Sequence, residues 1–369
     1  MKKYDTINSK ISVQNRCIMF KEFVMENNPT AFCHASTIIK LRTGEYMCCW
    51  FGGTHEGNPD VAIYSSRKTD LGWTAPQKLA DGVEANWNPV LFYREDGTLQ
   101  LFYKEGQKIA EWKTFTRLSE DDGLTWSEPV ELVAGDTSGG RGPVRNKPIR
   151  LSTGRILAGG STEHGIWQAF ADISDDNCSS WHKSSDIKIA NLVYREGEKT
   201  AESNIAVSAQ SFFGRGVIQP SLWEDEQGLV HMLLRSSEGF VYRSDSHDKG
   251  LSWSNAYPLT LPNNNSGLDL VQAPFDGELY LLCNPVAANW GVRSPMSLFR
   301  STDNGCTWEK LYDLATEKSE FSYPAIIADM EGLTMTFTWK RENIVCFHIS
   351  KDELKPSSKN IPYVVPYLF

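Results

Sequence analysis

One turn pattern recurs along the chain and constrains its fold more than any other feature. Its full form, Ser-x-Asp-x-Gly-x-Ser/Thr-Trp, occurs at 119–126, 246–253 and 301–308. Weaker copies extend the series, and the leading residues of the six copies are Ser66, Ser119, Ser174, Ser246, Ser301 and Ser350. Because neighbouring copies lie 49 to 72 residues apart, the pattern predicts six structural repeats of similar size.

A second pattern, out of phase with the first, predicts a β-hairpin in every repeat. Each copy has an apolar run, a turn centred on glycine and a second apolar run, as in NPVLFYREDGTLQLFYK. The predicted hairpins begin near residues 34, 88, 147, 219, 269 and 323. A third β-like run leads into the Ser-Asp-Gly-Trp turn and a fourth can follow it. Four short strands per repeat predict an all-β protein, a six-bladed β-propeller with four-stranded antiparallel blades.

Residues 1–369 are predicted to form this one propeller domain. The longest spacing between turns places an insertion at about 182–216, which is either a loop near a functional face or a surface decoration. The apolar C-terminal tail, 361–369, is expected to complete the last blade, because one terminus usually closes the final sheet of a propeller. The Ser-Asp-Gly-Trp turns themselves are interpreted as structural, with Ser and Asp bonding to turn backbone and Trp packing between blades.

Composition and charge exclude several classes of function. The net charge is −9 and no run of Lys and Arg is present, which argues against nucleic acid as a partner. No stretch approaches the roughly 18 apolar residues of a membrane helix. The N-terminus lacks the apolar core of a secretory signal, so we expect a cytoplasmic protein unless a leader has been removed. The eight cysteines lack paired spacing, so we expect reduced, mostly buried thiols and neither a metal nor a cofactor. The sequence does not indicate an oligomer.

Polar residues recur where the innermost strands of a propeller would converge. Aligning the six hairpins on their turn glycines gives one set of residues before the glycine and one set after it. The first set is His34, Asn88, Lys147, Gln219, Asp269 and Tyr323, and the second is Phe51, Lys104, Ser161, Arg235, Asn284 and Trp339. A purely structural axis favours apolar residues, so these sets predict a polar central site. An anionic ligand would require clustered arginines there, because the protein is itself acidic.

The repeated turns have the form of Asp boxes, and the chain resembles the sialidase, or neuraminidase, superfamily of six-bladed propellers. Members of that family bind the carboxylate of sialic acid with three arginines, use a Tyr/Glu pair as nucleophile and base, and use an Asp as acid/base. The resemblance implies that Arg235 and Arg293 bind the substrate carboxylate and that Tyr323 is the nucleophile. In the loop after the first hairpin, the residue nearest the acid/base position is Glu56, with His55 and Asp60 as neighbours.

Two positions depart from the family pattern. His34 stands where the first arginine is expected, and Gln219 stands where the base of the Tyr/Glu pair is expected. An amide cannot take the proton of a tyrosine, so another group must compensate. His34 is one candidate, and the others are Glu163 and Asp269 as carboxylates and Arg145 or Arg341 as a third arginine. The remaining candidates for substrate binding are Asn88, Lys104, Lys147 and Asn265.

The sequence leaves three functions of different classes open. The first is an exo-acting glycosidase of the sialidase type, which removes terminal α-linked sialic acid or a related acidic sugar from glycoconjugates. The second is a polysaccharide lyase for uronate-containing glycans, since elimination needs a base, an acid and a group that neutralises a carboxylate. The third is a non-catalytic propeller that binds acidic glycans, which the missing Glu favours.

Overall fold

β-Strands dominate the part of the chain that the structure describes. The computed structural model describes residues 19–192 and 214–354, and within these two ranges the chain forms no α-helix. Two 3-10 helices lie there, Ile109–Glu111 and Lys351–Glu353. Neither range holds a helix long and apolar enough to cross a membrane. The predicted all-β class is confirmed.

The strands of the first three repeats follow the predicted order. An N-terminal strand, β1 (Met19–Phe23), precedes them. The first repeat contains β2 (Phe32–Lys40), β3 (Tyr46–Gly53), β4 (Ala62–Thr69), β5 (Gly72–Trp73) and β6 (Gln77–Ala80). The second contains β7 (Asn86–Tyr93), β8 (Leu99–Glu105), β9 (Lys113–Ser119) and β10 (Val130–Glu131). The third contains β11 (Ile149–Arg150), β12 (Ile156–His164), β13 (Ile166–Ser174) and β14 (His182–Lys183).

The last three repeats have the same order of strands. The fourth contains β15 (Arg215–Glu224), β16 (Val230–Ser236), β17 (Phe240–Ser246) and β18 (Tyr257–Pro262). The fifth contains β19 (Asp269–Gln272), β20 (Leu279–Cys283), β21 (Met296–Ser301) and β22 (Glu309–Ala315). The sixth contains β23 (Phe321–Ala328), β24 (Gly332–Trp339) and β25 (Asn343–Ser350). All six first strands begin within four residues of the predicted hairpin starts.

Within each repeat, strands that follow one another in the chain pair antiparallel, except that β6 pairs with β4 and not with β5. The third and fourth repeats are also joined into one sheet by a short parallel ladder between β13 and β15, in which Ile166 pairs with Arg215. The last sheet has the order β1-β25-β24-β23, and Met19 of β1 pairs with Ile349 of β25. An N-terminal strand therefore completes this sheet. The tail 361–369, for which this role was expected, lies outside the described residues.

Apolar side chains pack between neighbouring repeats. Cys48 and Cys49 show how this arises, because adjacent residues of a strand point to opposite faces of the sheet. Cys48 packs in a cluster with Ile344 of the sixth repeat, whereas Cys49 packs in a cluster with Leu101 of the second. Six such clusters link each repeat to the next and the sixth to the first. Each sheet is therefore covered on both faces, and the seven described cysteines are free thiols, six of them buried.

The described beginning of the insertion belongs to the packed structure. Ile187 pairs with Ala169 of the third repeat and is buried in the cluster between the third and fourth repeats. Ile189 pairs with Ala256 of the fourth repeat. These contacts make 184–192 a connection along the two sheets. Residues 193–213, which make up most of the predicted insertion, lie outside the described ranges.

The Ser-Asp-Gly-Trp turns bond within themselves, as the sequence predicts. The Ser119 hydroxyl accepts a hydrogen bond from the Gly123 amide at 2.7 Å and donates to the Asp121 carboxylate at 2.8 Å. Asp121 also accepts from the Thr125 amide and hydroxyl, and Trp126 donates to the Gly123 carbonyl. Gly123 has a φ of 84°, which glycine adopts without strain. The Ser and Asp contacts recur in the turns that begin at Ser174, Ser246 and Ser301.

Candidate active site

A shared β-bulge places side chains at the centre of the site. Four of the first strands, β2, β7, β15 and β23, shift register at the same point. Each bulge contains a residue with positive φ nine positions before the turn glycine, and these residues are Ala35, Asn88, Gln219 and Tyr323. A residue other than glycine at positive φ carries about 1–3 kcal/mol of backbone strain, and such residues are concentrated at functional sites. Asn88, Gln219 and Tyr323 line one cavity.

The bulge also corrects the sequence alignment. Counting nine residues back from the other turn glycines leads to Arg145 and Leu268, whereas the sequence analysis chose Lys147 and Asp269. In the first repeat the equivalent residue is Ala35, and His34 precedes it. The six residues singled out in the sequence lie seven to ten positions before the turn glycine, whereas the bulge residues all lie nine positions before it.

The cavity has a polar wall and an aromatic wall. Its volume is about 600 Å³, including its open mouth. The polar wall consists of nine residues that the sequence had singled out: His34, Glu56, Asn88, Glu163, Gln219, Arg235, Arg293, Tyr323 and Arg341. The aromatic wall, which no sequence motif identified, consists of Trp87, Trp112 and Trp290, with the aliphatic Ile109 beside them in the lining. Trp87 directly precedes the bulge residue Asn88, and this position was a signal that could have identified it.

Tyr323 lies at the meeting point of the positive charges. Its hydroxyl oxygen accepts hydrogen bonds from Arg235 Nη1 at 2.8 Å and from the Gln219 amide nitrogen at 3.3 Å. The guanidinium carbons of Arg145 and Arg293 lie 5.1 and 5.6 Å from its ring centre. Burial raises the pKa of Tyr323, but Arg235, Arg293 and the Gln219 amide outweigh burial, so the net pKa is below the usual value. The surroundings therefore make this hydroxyl more acidic than that of an exposed tyrosine.

Arg235 brings a positive charge into the cavity wall. The residue is 3% exposed, and its Nε donates to Asn265 Oδ1 at 2.7 Å. Its Nη1 also donates to Gln219 Oε1 at 3.3 Å, and its guanidinium lies 5.4 Å from the Trp290 ring centre. Within the described ranges no carboxylate forms an ion pair with Arg235. A buried cation of this kind favours an anionic ligand.

A carboxylate behind the wall holds the other two arginines. Glu320 Oε1 lies 2.7 Å from Arg293 Nη1, and both Glu320 oxygens lie 3.0 Å from Arg341 Nε. Burial raises the pKa of Glu320, but Arg293 and Arg341 lower it by a larger amount, so the net pKa is about 2. Arg341 Nη1 also forms an ion pair with Glu56. Glu320, which no sequence motif identified, is thus the carboxylate that positions two of the three cavity arginines.

Two other titratable groups of the cavity favour their neutral forms. His34 is buried, and burial together with four arginines, Arg341 first, lowers its pKa well below the usual value. Its Nδ1 lies 3.0 Å from Thr338 Oγ1, and its ring centre lies 4.3 Å from that of Tyr323. Burial raises the pKa of Glu163 to about 7, although Arg235 opposes the shift. A neutral imidazole and a carboxyl group that titrates near neutral pH therefore face the same space.

Two predicted site residues are bound to each other outside the cavity lining. Asp269 forms an ion pair with Lys147 at 2.8 Å and accepts hydrogen bonds from the Ser221 hydroxyl and the Ile326 amide. Lys147 also donates to the Leu270 carbonyl. Both oxygens of Asp269 are occupied by protein groups, so the catalytic role proposed for Asp269 and the binding role proposed for Lys147 are corrected to structural ones.

Three more predicted residues lie behind the cavity lining. Arg145 packs beneath the Tyr323 ring and donates to the carbonyl of Pro324, which leaves Arg341 as the third arginine of the lining. Asn265 contacts Arg235 and so positions it. Lys104 is buried and donates to the Thr114 hydroxyl and the Arg141 carbonyl, both at 2.7 Å. The polar groups of Lys104 and Asn265 contact protein partners, as do both terminal nitrogens of Arg145.

The neighbours predicted for Glu56 shape its loop. Asp60 accepts hydrogen bonds from the amide and hydroxyl of Thr54, both at 2.9 Å. His55 is exposed, and its ring bonds to the Glu56 carbonyl. Neither side chain belongs to the cavity lining. No group of three or more His, Cys, Asp or Glu residues within 19–192 and 214–354 is placed to hold a metal ion.

Comparison with known proteins finds one matching family and solved structures of similar fold. Residues 44–335 match the family described as BNR repeat-like domain. The Hadza microbial sialidase Hz136 is similar in fold, with a TM-score of 0.70 and 16% identity over 90% of this chain and 68% of that one. NanB sialidase from Streptococcus pneumoniae has a TM-score of 0.65 and 12% identity, covering 88% and 69% of the two chains. The intramolecular trans-sialidase from Ruminococcus gnavus has a TM-score of 0.62 and 13% identity, covering 91% and 97%. No curated protein sequence matches the chain.

Proposed function

The chain belongs to the BNR repeat-like domain family and shares its fold with sialidases, and from that premise we propose that it is an exo-acting glycoside hydrolase of the sialidase type. Its substrate is a terminal α-linked sialic acid or a related acidic sugar of a glycoconjugate. The observation that carries the proposal is the convergence of Arg235, Arg293 and Arg341 on the cavity that contains the Tyr323 hydroxyl. Fold alone does not assign an activity, so the site carries it.

The proposal includes a six-bladed propeller that forms one domain. Six repeats with the same strand order support it, as do the apolar clusters that join each repeat to the next and the sixth to the first. The shared bulge on four first strands supports a common centre. In such a ring the first strands of all repeats face one axis, which is where the arginine cavity belongs.

The arginines suit a substrate carboxylate. A guanidinium group binds a carboxylate through charge-assisted and often bidentate hydrogen bonds. Glu320 orients Arg293 and Arg341, while Asn265 orients Arg235. The described acidic side chains of the lining are Glu56, which is paired with Arg341, and Glu163, whose pKa burial raises to about 7. The cavity therefore presents net positive charge inside an acidic protein.

Tyr323 is the nucleophile in this proposal. Its oxygen attacks the anomeric carbon as the bond to the leaving oxygen breaks, and water later releases the sugar from the tyrosyl intermediate. The two hydrogen bonds donated to this oxygen stabilise the phenolate, so Gln219 acts as a donor to the nucleophile in place of a base that removes its proton. Breakage of the glycosidic bond also requires a proton for the leaving oxygen.

The test is release of the fluorophore from a 4-methylumbelliferyl α-sialoside. Tyr323→Phe keeps the ring and removes the nucleophilic oxygen, so we expect kcat/KM to fall by at least about 1,000-fold. Tyr103→Phe is the matched control, because Tyr103 is buried in the cluster between the first two repeats and does not line the cavity. Failure of the wild-type protein to release free sugar from any α-linked sialoside would contradict the proposal.

One observation favours a second candidate function, a lyase for uronate-containing glycans. His34 is neutral and lies against Tyr323, in the position where the family pattern has an arginine. A neutral imidazole can remove a proton next to a carboxylate that arginines neutralise, and a tyrosine can protonate the leaving oxygen. An unsaturated product that absorbs in the ultraviolet would reveal this reaction, and its absence across acidic polysaccharides would rule it out.

A further inference from the structure

We infer that Glu163, and not Glu56, donates the proton to the leaving oxygen, an assignment that rests on the proposed glycosidase function. Both carboxyl groups line the cavity that contains Tyr323. Glu56 is the one at the position where the family resemblance places the acid/base. The surroundings of the two groups differ, and those surroundings decide between them.

The strand geometry directs Glu163 toward the reacting centre. Glu163 lies two residues after Ser161 on β12, so the two side chains share a face of the sheet. The Ser161 hydroxyl accepts a hydrogen bond from the Gln219 amide nitrogen of the backbone at 3.4 Å. Gln219 in turn donates from its side chain to the Tyr323 hydroxyl. Glu163 therefore emerges on the face of β12 that meets the nucleophile.

The environment of Glu163 favours the protonated form. The residue is 8% exposed, and its partner across the ladder is Trp167, which is fully buried. The charged groups that share the cavity are Arg235, Arg293, Arg341 and Glu56, and Arg235 is the one whose field opposes the effect of burial. A carboxyl group whose pKa burial raises to about 7 suits a general acid.

Glu56 is held by an arginine of the cavity lining. Glu56 forms an ion pair with Arg341, and Glu320 holds that arginine from the other side. Glu56 and Glu320 are therefore the two carboxylates that neutralise Arg341. Glu56 is thus a positioning residue for a substrate-binding arginine.

The step balances with these residues alone and one water molecule. As Tyr323 forms its bond to the anomeric carbon, the electron pair of the glycosidic bond moves to the leaving oxygen, and the Glu163 proton transfers to that oxygen. The resulting Glu163 carboxylate then accepts a proton from the water that attacks the tyrosyl intermediate. Release of the sugar restores the phenolate and the carboxylic acid.

The experiment compares two substrates with leaving groups of different quality. A 4-methylumbelliferyl α-sialoside has a leaving group that departs without a proton, whereas a sialyl-galactoside needs one. For Glu163→Gln we expect kcat/KM to fall by more than about 100-fold on the sialyl-galactoside and by less than about 10-fold on the fluorogenic substrate. Wild-type kcat/KM on the sialyl-galactoside should also fall as the pH rises through about 7, and this alkaline limb should be absent in Glu163→Gln.

Glu56→Gln is the matched control. Because it disturbs Arg341, we expect similar losses on both substrates and an unchanged alkaline limb. Equal losses on both substrates for Glu163→Gln, in a protein that still binds free sialic acid and melts as wild type, would overturn the assignment to Glu163 alone. Retention of the alkaline limb by Glu163→Gln would overturn it as well. A wild-type protein inactive on both substrates would overturn the proposed function and the assignment together.

Discussion

The Ser-Asp-Gly-Trp turns and the cavity both use recurring polar residues, but their hydrogen-bond partners lie at different distances along the chain. In the turn that begins at Ser119, the bonded groups lie within four residues of one another. In the cavity, Tyr323 bonds to Arg235 and Gln219, which are 88 and 104 residues away. A turn can therefore form from local sequence, whereas the cavity requires the complete fold.

The two regions also differ in how completely their charges are neutralised. In the turns that begin at Ser119, Ser174, Ser246 and Ser301, the carboxylate accepts hydrogen bonds from hydroxyl and amide groups of its own turn. Those bonds lower the pKa of Asp121 to about 2. In the cavity, Arg235 forms no ion pair with a described carboxylate, whereas Arg293 and Arg341 share one carboxylate, Glu320. Satisfied groups stabilise a fold, while incompletely neutralised groups are available to a ligand.

Replacing Arg235 should cause the largest loss of activity for the smallest change in melting temperature. Arg235→Met removes a hydrogen-bond donor from the nucleophile and a charge from the carboxylate site, so we expect kcat/KM on an α-sialoside to fall by about 100- to 1,000-fold. We expect little change in melting temperature, because no ion pair is broken. Kinetics and thermal unfolding of the same preparation measure both quantities.

Arg243→Met is the control for this comparison. Arg243 is also buried, but it forms an ion pair with Asp245 at 2.8 Å and lies outside the cavity lining. Its replacement should lower the melting temperature and leave kcat/KM of the folded protein within about twofold. If Arg235→Met were the less stable of the two variants, the contrast between neutralised and available charges would fail.

Replacing Glu320 should have an intermediate effect, expressed mainly in substrate binding. Glu320→Gln loosens Arg293 and Arg341 together, and we expect KM to rise by about 10- to 100-fold with a smaller change in kcat. Glu317→Gln is the control, since Glu317 is exposed and pairs with Lys340 away from the cavity. An unchanged KM in Glu320→Gln would show that the two arginines do not depend on this carboxylate.

The same variant has a signature in the pH dependence of stability. The pKa of Glu320 in the folded protein is about 2, below the usual 4.5. A carboxylate with a lowered pKa stabilises the fold above the unfolded pKa, and this contribution is lost as the pH falls toward the folded value. The difference in urea midpoint between wild type and Glu320→Gln should therefore shrink between about pH 5 and pH 2. A constant difference across that range would contradict the ion-pair account.

Replacing a turn serine should have the smallest effect, and on stability alone. Ser301→Ala removes the acceptor for the Gly305 amide and a donor to Asp303, so we expect a loss of about 1–2 kcal/mol in the free energy of unfolding. Catalytic parameters should stay within about twofold of wild type. Ser319→Ala, at a half-buried position outside the turns, is the control, and equal stability of the two variants would remove the structural role assigned to the turns.

Much of the architecture followed from the sequence because its signals are local. The turn glycines and the alternation of apolar residues located all six hairpins within four residues. The resemblance to sialidases identified Tyr323, Arg235, Arg293 and Glu56, which all line the cavity. Spacing from a glycine is sufficient for such predictions as long as the strand is regular.

The tertiary structure decided the features that depend on contacts between repeats. It placed Asp269 and Lys147 outside the lining, because their side chains form an ion pair with each other. It selected Arg341 over Arg145, since Arg341 lines the cavity and pairs with Glu56 of the first repeat, whereas Arg145 lies beneath the Tyr323 ring. It also closed the last sheet with Met19–Phe23. Hydrogen bonds within a turn join residues that are close in the sequence, so the sequence predicts them. A charge network between residues more than a hundred positions apart forms only when the repeats have packed.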